Sequence, residues 1–354
     1  MALPDEYTVD DEISAFFKKT TTSRTECDAQ ARRLVGSQRV VAIAIQGACS
    51  YSVYAGGNLE YVVQCRLRSL ALNTEIHELA TEIYGSLVPT ISFEGILGDT
   101  SEGIEAGDRE PLYIYLMSRM PGITQLDFIL SQDSPQDSPK YFPLRQNFIS
   151  DVAHFFARSW LAPQKVSREY RHSLKASYIR DLELLRESLP NRFHSVLQAC
   201  LGFIDDIMTL PVVLLHKDFG ACNLLVDEAS CRLKGVIDWA EAVVCPFGLN
   251  LHSLQAFTGT MHLRNGWSPF PDYYSLEKTF WRVFSASIGG LSDDKIRTAK
   301  RARALGLLLS HGFTSRLANE ADPVPLKDDE HGRYNLMYLD AFLIHEETKL
   351  DGVE

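Results

Sequence analysis

The sequence predicts an α+β protein of two lobes, a small antiparallel sheet followed by a larger, mostly helical part. Three observations carry this. The chain has 354 residues, more than one hydrophobic core usually spans. Its first third alternates short apolar runs with turn residues, whereas the remainder has helical periodicity. One segment, "LLHKDFGACNLLVDEASCRLKGVIDWAEA" from Leu214 to Ala242, interrupts those helices with strand-like runs.

Taken in order, residues 9–34 carry helical spacing through Ile13, Phe16, Phe17, Ala31 and Leu34, so residues 1–34 read as an N-terminal helical extension. The runs "VVAIAIQ", "SYSVYA" and "YVVQCRL" follow, separated by "GACS" and "GGN", and form a strand meander. "NTEIHELATEIYGSL" reads as a helix with Ile76, Leu79, Ala80 and Ile83 on one face. Two further strands, "TISFEGIL" and "PLYIYLMSRM", flank a polar loop at 98–110 and complete a sheet-bearing domain over 35–119. "MPG" at 120–122 marks a joint. Residues 120–354 form the helical domain, with a polar loop at 131–140 and the embedded hairpin region. The expected ligand site is a cleft near the joint.

Composition narrows the function. Hydrophobic residues make up 45% of the chain, enough for a globular core, and no apolar run reaches the length of a membrane span. The acidic N-terminus lacks the layout of a signal peptide, so a cytoplasmic protein is expected. Seven dispersed cysteines without a CxxC pair indicate reduced thiols, not zinc or a disulfide framework. A net charge of −11 argues against a nucleic-acid surface.

The chemistry concentrates in His216, Asp218, Asn223 and Asp238. Asp218 precedes Asn223 on one loop, and Asp238 ends the strand one hairpin further on, so Asn223 and Asp238 can approach each other at the ends of paired strands. Two oxygen ligands of this kind suit Mg²⁺, which keeps several waters or phosphate oxygens in its shell. An aspartate beside them that is not a ligand can take or orient a hydroxyl proton. Taken singly, Asp and Asn at these points are turn caps. Together, before "LLVD" and after "GVI", they read as metal ligands and base. Cys222 has no base assigned to it by the sequence, and Lys217 reads as a solvated charge.

The segment resembles the catalytic loop and metal hairpin of the aminoglycoside phosphotransferase family, relatives of the protein kinases, in its H-x-D-x-x-x-x-N loop, its "LVD" strand and its "IDW". The flanking "WAEAVVCPFGLNL" looks like the fungal branch of that family. The resemblance implies a protein-kinase-like fold over roughly 35–345 and phosphorylation of a small-molecule hydroxyl by ATP or GTP with Mg²⁺. Carried over, Asp218 is the catalytic base, His216 braces its loop, and Asn223 and Asp238 hold the metal. "QGACSYSVY", with Gly47 and Ser50, falls at the nucleotide-covering turn, and "YLMSRMPG", with Met117, Ser118 and Met120, at the adenine-contacting hinge. The phosphate-contacting strand lacks a Lys. Alternation puts Val62, Gln64 and Arg66 on one face, which makes Arg66 the candidate cation and Gln64 its neutral rival. Glu75, with Glu78 as alternative, is the acid expected to pair with Arg66. Two further departures are the single glycine of the turn and Asn250, which stands where many relatives carry an acid.

Aromatics and acids of the helical domain, among them Trp160, Trp267, Tyr273, Tyr274 and Glu320, can hold a cationic substrate or simply pack. Two other functions stay open: a pseudokinase-type binding or regulatory protein, and a kinase-like fold reused for non-phosphoryl chemistry in a biosynthetic pathway.

Overall fold

A computed structural model describes residues 8–98, 109–132, 137–315 and 317–350. Residues 99–108 of the expected polar loop, and 133–136 of the second one, lie outside the described residues. The chain forms two compact units. The first comprises Met1–His77, Val88–Met120 and Leu317–Ala321, and the second Glu78–Leu87, Pro121–Arg316 and Asp322–Glu354.

In the first unit, residues 9–34 form two helices, not one: α1 (Val9–Phe17) and α2 (Arg24–Val35). The break comes from the sequence. Ser23 and Glu26 make a reciprocal capping box that starts α2 afresh, an arrangement that stabilises a helix start by about 1 kcal/mol. Nor are these helices an appendage. Ile13, Phe16, Cys27 and Ala31 are buried in one core with Tyr51, Val53, Val63, Cys65 and Ile114 of the sheet. That sheet comprises β1 (Val40–Ala42), β2 (Ser50–Ala55) and β3 (Tyr61–Leu67), then, after helix α3 (Thr74–Tyr84), β4 (Ile91–Leu97) and β5 (Leu112–Ser118). All neighbours are antiparallel, in the order β1-β2-β3-β5-β4. The division between units falls inside α3 and again after Met120.

The second unit opens with β6 (Ile123–Thr124) and a short helix α4 (Gln125–Leu130), capped by Thr124 on the Asp127 amide. Three long helices follow, α5 (Phe142–Leu161), α6 (Arg168–Ser188) and α7 (His194–Ile207). Strands β7 (Val212–Leu215), β8 (Leu224–Val226), β9 (Leu233–Val236) and β10 (Val243–Pro246) build the interrupting region, with β7 paired to β10 and β8 between β6 and β9. The hairpin β11 (Gly259–His262) and β12 (Gly266–Pro269), which the sequence reading did not foresee, precedes α8 (Tyr273–Ser287), α9 (Asp293–His311) and α10 (Arg333–Leu343).

Two glycines fix how this unit packs. Gly122 has φ +98°, and a Cβ there would lie 2.5 Å from the Val226 carbonyl oxygen, so β6 approaches β8 only with glycine at that corner. At Gly306, midway along α9, a Cβ would lie 1.6 Å from the Leu249 carbonyl oxygen, so the helix rests directly on the backbone before Asn250. A ladder of Phe155, Phe156, Phe219, Phe247, Phe280 and Phe284 runs through the core, with Phe155 and Phe219 stacked at 4.8 Å. Phe219 belongs to the loop after β7, so that loop is anchored by burial before any polar contact is counted. Among the described residues no helix is long and apolar enough to cross a membrane.

Candidate active site

The loop between β7 and β8 is held by its own backbone and side chains. The Gly220 amide donates to the Asp218 carbonyl at 2.9 Å, and the Asn223 amide to the Gly220 carbonyl at 2.9 Å. The Asn223 side-chain nitrogen then donates twice to Asp218, to its carbonyl at 2.9 Å and to Oδ2 of its carboxylate at 2.8 Å. With that nitrogen doubly bound, the amide cannot rotate, and Oδ1 is the atom left without a donor. Asp218 is exposed, so its second oxygen is open to solvent.

Asp238 is set against this loop by strand register. Leu224 pairs with Val236, so Asn223 lies opposite Ile237 and Asp238 comes next. Both backbone groups of Ile237 serve the loop: its amide donates to the Asn223 carbonyl at 2.9 Å, and its carbonyl accepts from His216 Nε2 at 2.9 Å. Asp238 itself has φ +60° and ψ +64°, a left-handed conformation that costs an L-residue about 1 kcal/mol. Its carboxylate is exposed and, among the described residues, makes no hydrogen bond or ion pair. Strain combined with an uncommitted charge is the pattern of a site and not of a cap.

His216, placed in the sequence reading beside Asp218 in the catalytic set, is buried and bonds the strand that leads to Asp238. It is 1% exposed, and its ring lies edge-on to Trp239 at 4.9 Å and to Phe219 at 6.0 Å. Burial holds its pKa below the ordinary value, opposed by the Ile237 carbonyl and by Asp218 and Asp238, and Nε2 donates to that carbonyl. Asn250, buried, donates to the His216 carbonyl at 3.2 Å. An amide at this position therefore still supports the loop, through a donor where an acid would accept. Sequence reasoning marked Asn250 only as a departure, and it missed that Leu126 of α4 donates to the Ala221 carbonyl at 3.1 Å. The signal for that tie was "PGITQ", a turn feeding a Thr cap. At Cys222 desolvation and then the charges of Asp218 and Asp127 raise the pKa and disfavour the thiolate.

In the first unit, register shows which sheet face each expected nucleotide residue occupies. Ser50 pairs with Arg66 and Ser52 with Gln64, while on the other side Arg66 pairs with Tyr113, Gln64 with Tyr115 and Val62 with Met117. Residues directly opposite share a face, so Ser50, Gln64, Arg66 and Met117 lie together, on the face that α1 and α2 leave uncovered. Gly47 and Ser50 close the β1–β2 turn through a 3.4 Å bond from the Ser50 amide. Ser118 ends β5, its amide donating to the Thr90 carbonyl at 3.1 Å, and Met120 is partly exposed just beyond it.

The expected ion pair between Arg66 and Glu75 is not formed. Arg66 is buried and its Nε donates to the Leu70 carbonyl, because the turn at Arg68–Leu70 folds that carbonyl back onto the guanidinium. Glu75 is exposed on the first turn of α3. Gln64 donates to Ser52 Oγ at 3.4 Å, and its Oε1 is buried without a partner.

Of the aromatic residues considered for a cation, Tyr273 touches both Trp267 at 5.6 Å and Tyr274 at 5.2 Å. Trp160 packs edge-on against Phe247 and Phe284, and Trp267 against Phe342 and Tyr273. Tyr273 is buried, and the exposed Tyr274 donates to the Glu347 carbonyl at 3.2 Å. Trp267 also borders a cavity of about 570 Å³ with Met337, His345 and Glu347, but Asp218, Asn223 and Asp238 do not line it.

Among the described residues no cluster of three or more His, Cys, Asp or Glu side chains can hold a metal. The donor set that remains, Asn223 Oδ1 and the Asp238 carboxylate, fits a hard cation that takes few protein ligands and completes its shell with water and phosphate oxygens.

An antiparallel sheet in one unit and a helical unit carrying an Asp-Asn loop beside a strained Asp define a phosphotransferase-like α+β fold. Residues 94–267 match the model of the phosphotransferase enzyme family, so the likeness to aminoglycoside phosphotransferases read from the loop is real. A putative aminoglycoside phosphotransferase from Ralstonia eutropha superposes with a TM-score of 0.51 at 14% identity, covering 89% of this chain and 95% of the other. A macrolide 2′-phosphotransferase from Brachybacterium faecium gives 0.50 at 15% identity, covering 80% of this chain and 90% of the other. These likenesses establish the fold. No curated protein matches the chain.

Proposed function

We propose that the chain is a Mg²⁺-dependent phosphotransferase that moves a phosphoryl group from ATP or GTP to a hydroxyl of a small molecule. One observation carries the reading. Asn223 clamps Asp218 with two bonds from a single nitrogen, at 2.9 and 2.8 Å, while Asp238, in left-handed backbone after the paired strand, keeps a carboxylate with no hydrogen bond or ion pair among the described residues.

In this reading the free oxygen of Asp218 aligns the acceptor hydroxyl and takes its proton as the new O–P bond forms and the bond to the departing nucleoside diphosphate breaks. Asn223 Oδ1 and Asp238 hold Mg²⁺, which when bound neutralises phosphoryl charge. His216, Ile237 and Asn250 keep those three groups in register and touch no substrate. The nucleotide contacts fall to Gly47, Ser50, Gln64, Arg66, Met117, Ser118 and Met120, and the shared sheet face of Ser50, Gln64, Arg66 and Met117 supports that assignment. The proposal includes a cytoplasmic location and no nucleic-acid or membrane partner.

A second reading, a nucleotide-binding protein with little turnover, is favoured by one observation: among the described residues Arg66 has no acid partner, and its Nε is bound to Leu70. Asp218→Asn separates the two. A phosphotransferase loses about 10²–10⁴-fold in turnover while its nucleotide affinity stays within a few fold. Turnover equal to the parent's would remove Asp218 from this role.

A further inference from the structure

The cavity that Trp267 borders is built wholly within the second unit, by the turn between β11 and β12, one face of α10 and the loop that follows α10. Its walls are fixed before any ligand enters. On one side Trp267 donates through Nε1 to the Gln255 carbonyl at 3.1 Å and meets Phe342 edge-on at 4.6 Å. It lies so close over Gly259 that a Cβ there would come within 2.3 Å of its ring. On the other side the chain leaving α10 folds back onto the helix. The His345 amide donates to the Asp340 carbonyl at 3.0 Å, the Thr348 amide to the His345 carbonyl at 3.1 Å and the Leu350 amide to the Phe342 carbonyl at 2.8 Å. A preformed hollow of about 570 Å³ lies within the range of small-molecule sites, roughly 300–1,000 Å³.

The charges that line it divide into paired and unpaired. Asp340 accepts from Arg192 at 2.6 and 3.0 Å, and Glu346 pairs with Lys349 at 2.9 Å, so both are neutralised. Arg264, in the hairpin turn, and Glu347, in the loop after α10, are different. Both are exposed, and among the described residues neither charged group makes a hydrogen bond or an ion pair, not even with the other. The exposed His345 ring adds a nitrogen donor or acceptor to the same lining. One cavity therefore offers an unmatched guanidinium and an unmatched carboxylate, together with the apolar surfaces of Trp267 and Met337. A ligand of single charge would displace water from one of these groups and give it no counter-charge, whereas a ligand carrying both signs matches both.

We propose that this cavity binds a small zwitterion, a molecule with a carboxylate and a protonated amine on an apolar stem. Arg264 takes the carboxylate, Glu347 the ammonium, and Trp267 and Met337 the stem. Because Asp218, Asn223 and Asp238 do not line the cavity, this is a second ligand site, and it stands whether or not the phosphotransferase reading does.

The test uses the whole chain with its methionine methyl groups isotope-labelled, and follows the Met337 resonance, assigned from Met337→Leu. The unbranched ω-amino acids from glycine to aminohexanoate are titrated to about tens of millimolar, each beside the acid and the amine of equal length. At least one amino acid should move the Met337 methyl, and the length that binds best measures the gap between Arg264 and Glu347. That amino acid should bind about tenfold or more tightly than either single-charge counterpart, the gain expected of one charge-assisted contact. Arg264→Gln should lower its affinity to that of the amine, and Glu347→Gln to that of the acid. Neither substitution removes a bond that holds the fold, so both variants should melt with the parent. A Met337 methyl that no member of the series moves, an amino acid bound no better than its acid or amine, or a preference that survives both substitutions would overturn the proposal.

Discussion

His216 makes one hydrogen bond through Nε2, to Ile237, and that bond links the loop bearing Asp218 to the strand bearing Asp238. Its buried Nδ1 has no partner among the described residues. A histidine held neutral in the fold leaves a signature in stability. Its folded pKa lies below that of the unfolded chain, so above about pH 6.5 both states are neutral and the group contributes nothing. As pH falls below that value the unfolded chain takes up a proton that the folded chain refuses. Burial depresses His216, His252 and His311 alike. Each therefore costs up to about 1.4 kcal/mol per pH unit until its own folded pKa is reached. Urea unfolding at pH 7.5, 6.5 and 5.5 checks this, and a stability that does not fall over the last step would contradict it. At this scale the placement of Asp218 with Asn223 on one loop, and of Asp238 after the strand paired to it, was legible from residue type and spacing. It was not legible for Arg66, whose Nε partner is a main-chain carbonyl supplied by a turn, or for Glu75, because a helix start fixes spacing without saying which acid turns inward.

Elements were legible in proportion to their periodicity. The five strands of the sheet and α3 follow from alternation and helical spacing, and even the face shared by Val62, Gln64 and Arg66 agrees with the register. The missed features are those governed by few residues: the capping box that divides α1 from α2, the two-residue strand β6, and the β11–β12 hairpin. At β6 one atom governs an element. Replacing Gly122 by Ala forces a methyl group against the Val226 carbonyl at a backbone angle that alanine avoids, and should destabilise the chain by about 2 kcal/mol or more. Because β8 leads out of the Asn223 loop, activity should fall more steeply with temperature than in the parent. A denaturation midpoint unchanged from the parent's would mean that the corner relaxes freely. Arg145 joins the start of α5 to Asp272 before α8, with both partners largely buried and the guanidinium packed between Phe142 and Phe270. Arg145→Met leaves that carboxylate buried and unpaired and should cost about 3–5 kcal/mol, which a calorimetric scan would register. A cost within a few tenths would show that Asp272 finds another donor.

At the scale of the whole molecule, the sequence indicated a sheet-bearing part and a helical part joined near 120–122, and the two units divide inside α3 and again after Met120. It did not indicate that residues 317–321 return to the first unit, where Leu317 packs on the core and Asn319 bonds Ser69 at 2.8 Å. Such a return depends on contacts far apart in sequence, which no local pattern encodes. What unites the molecule functionally is the claim that Asn223 and Asp238 hold a metal for a bound nucleotide. A melting-temperature titration with ATP and GTP, each with and without Mg²⁺, on the parent chain and on Asp238→Ala tests it most directly, because ligand that binds only the folded state raises the midpoint by mass action. A rise is expected with at least one nucleotide, one that requires Mg²⁺ and disappears in Asp238→Ala. No rise at millimolar nucleotide, or a rise indifferent to both Mg²⁺ and Asp238, would contradict it.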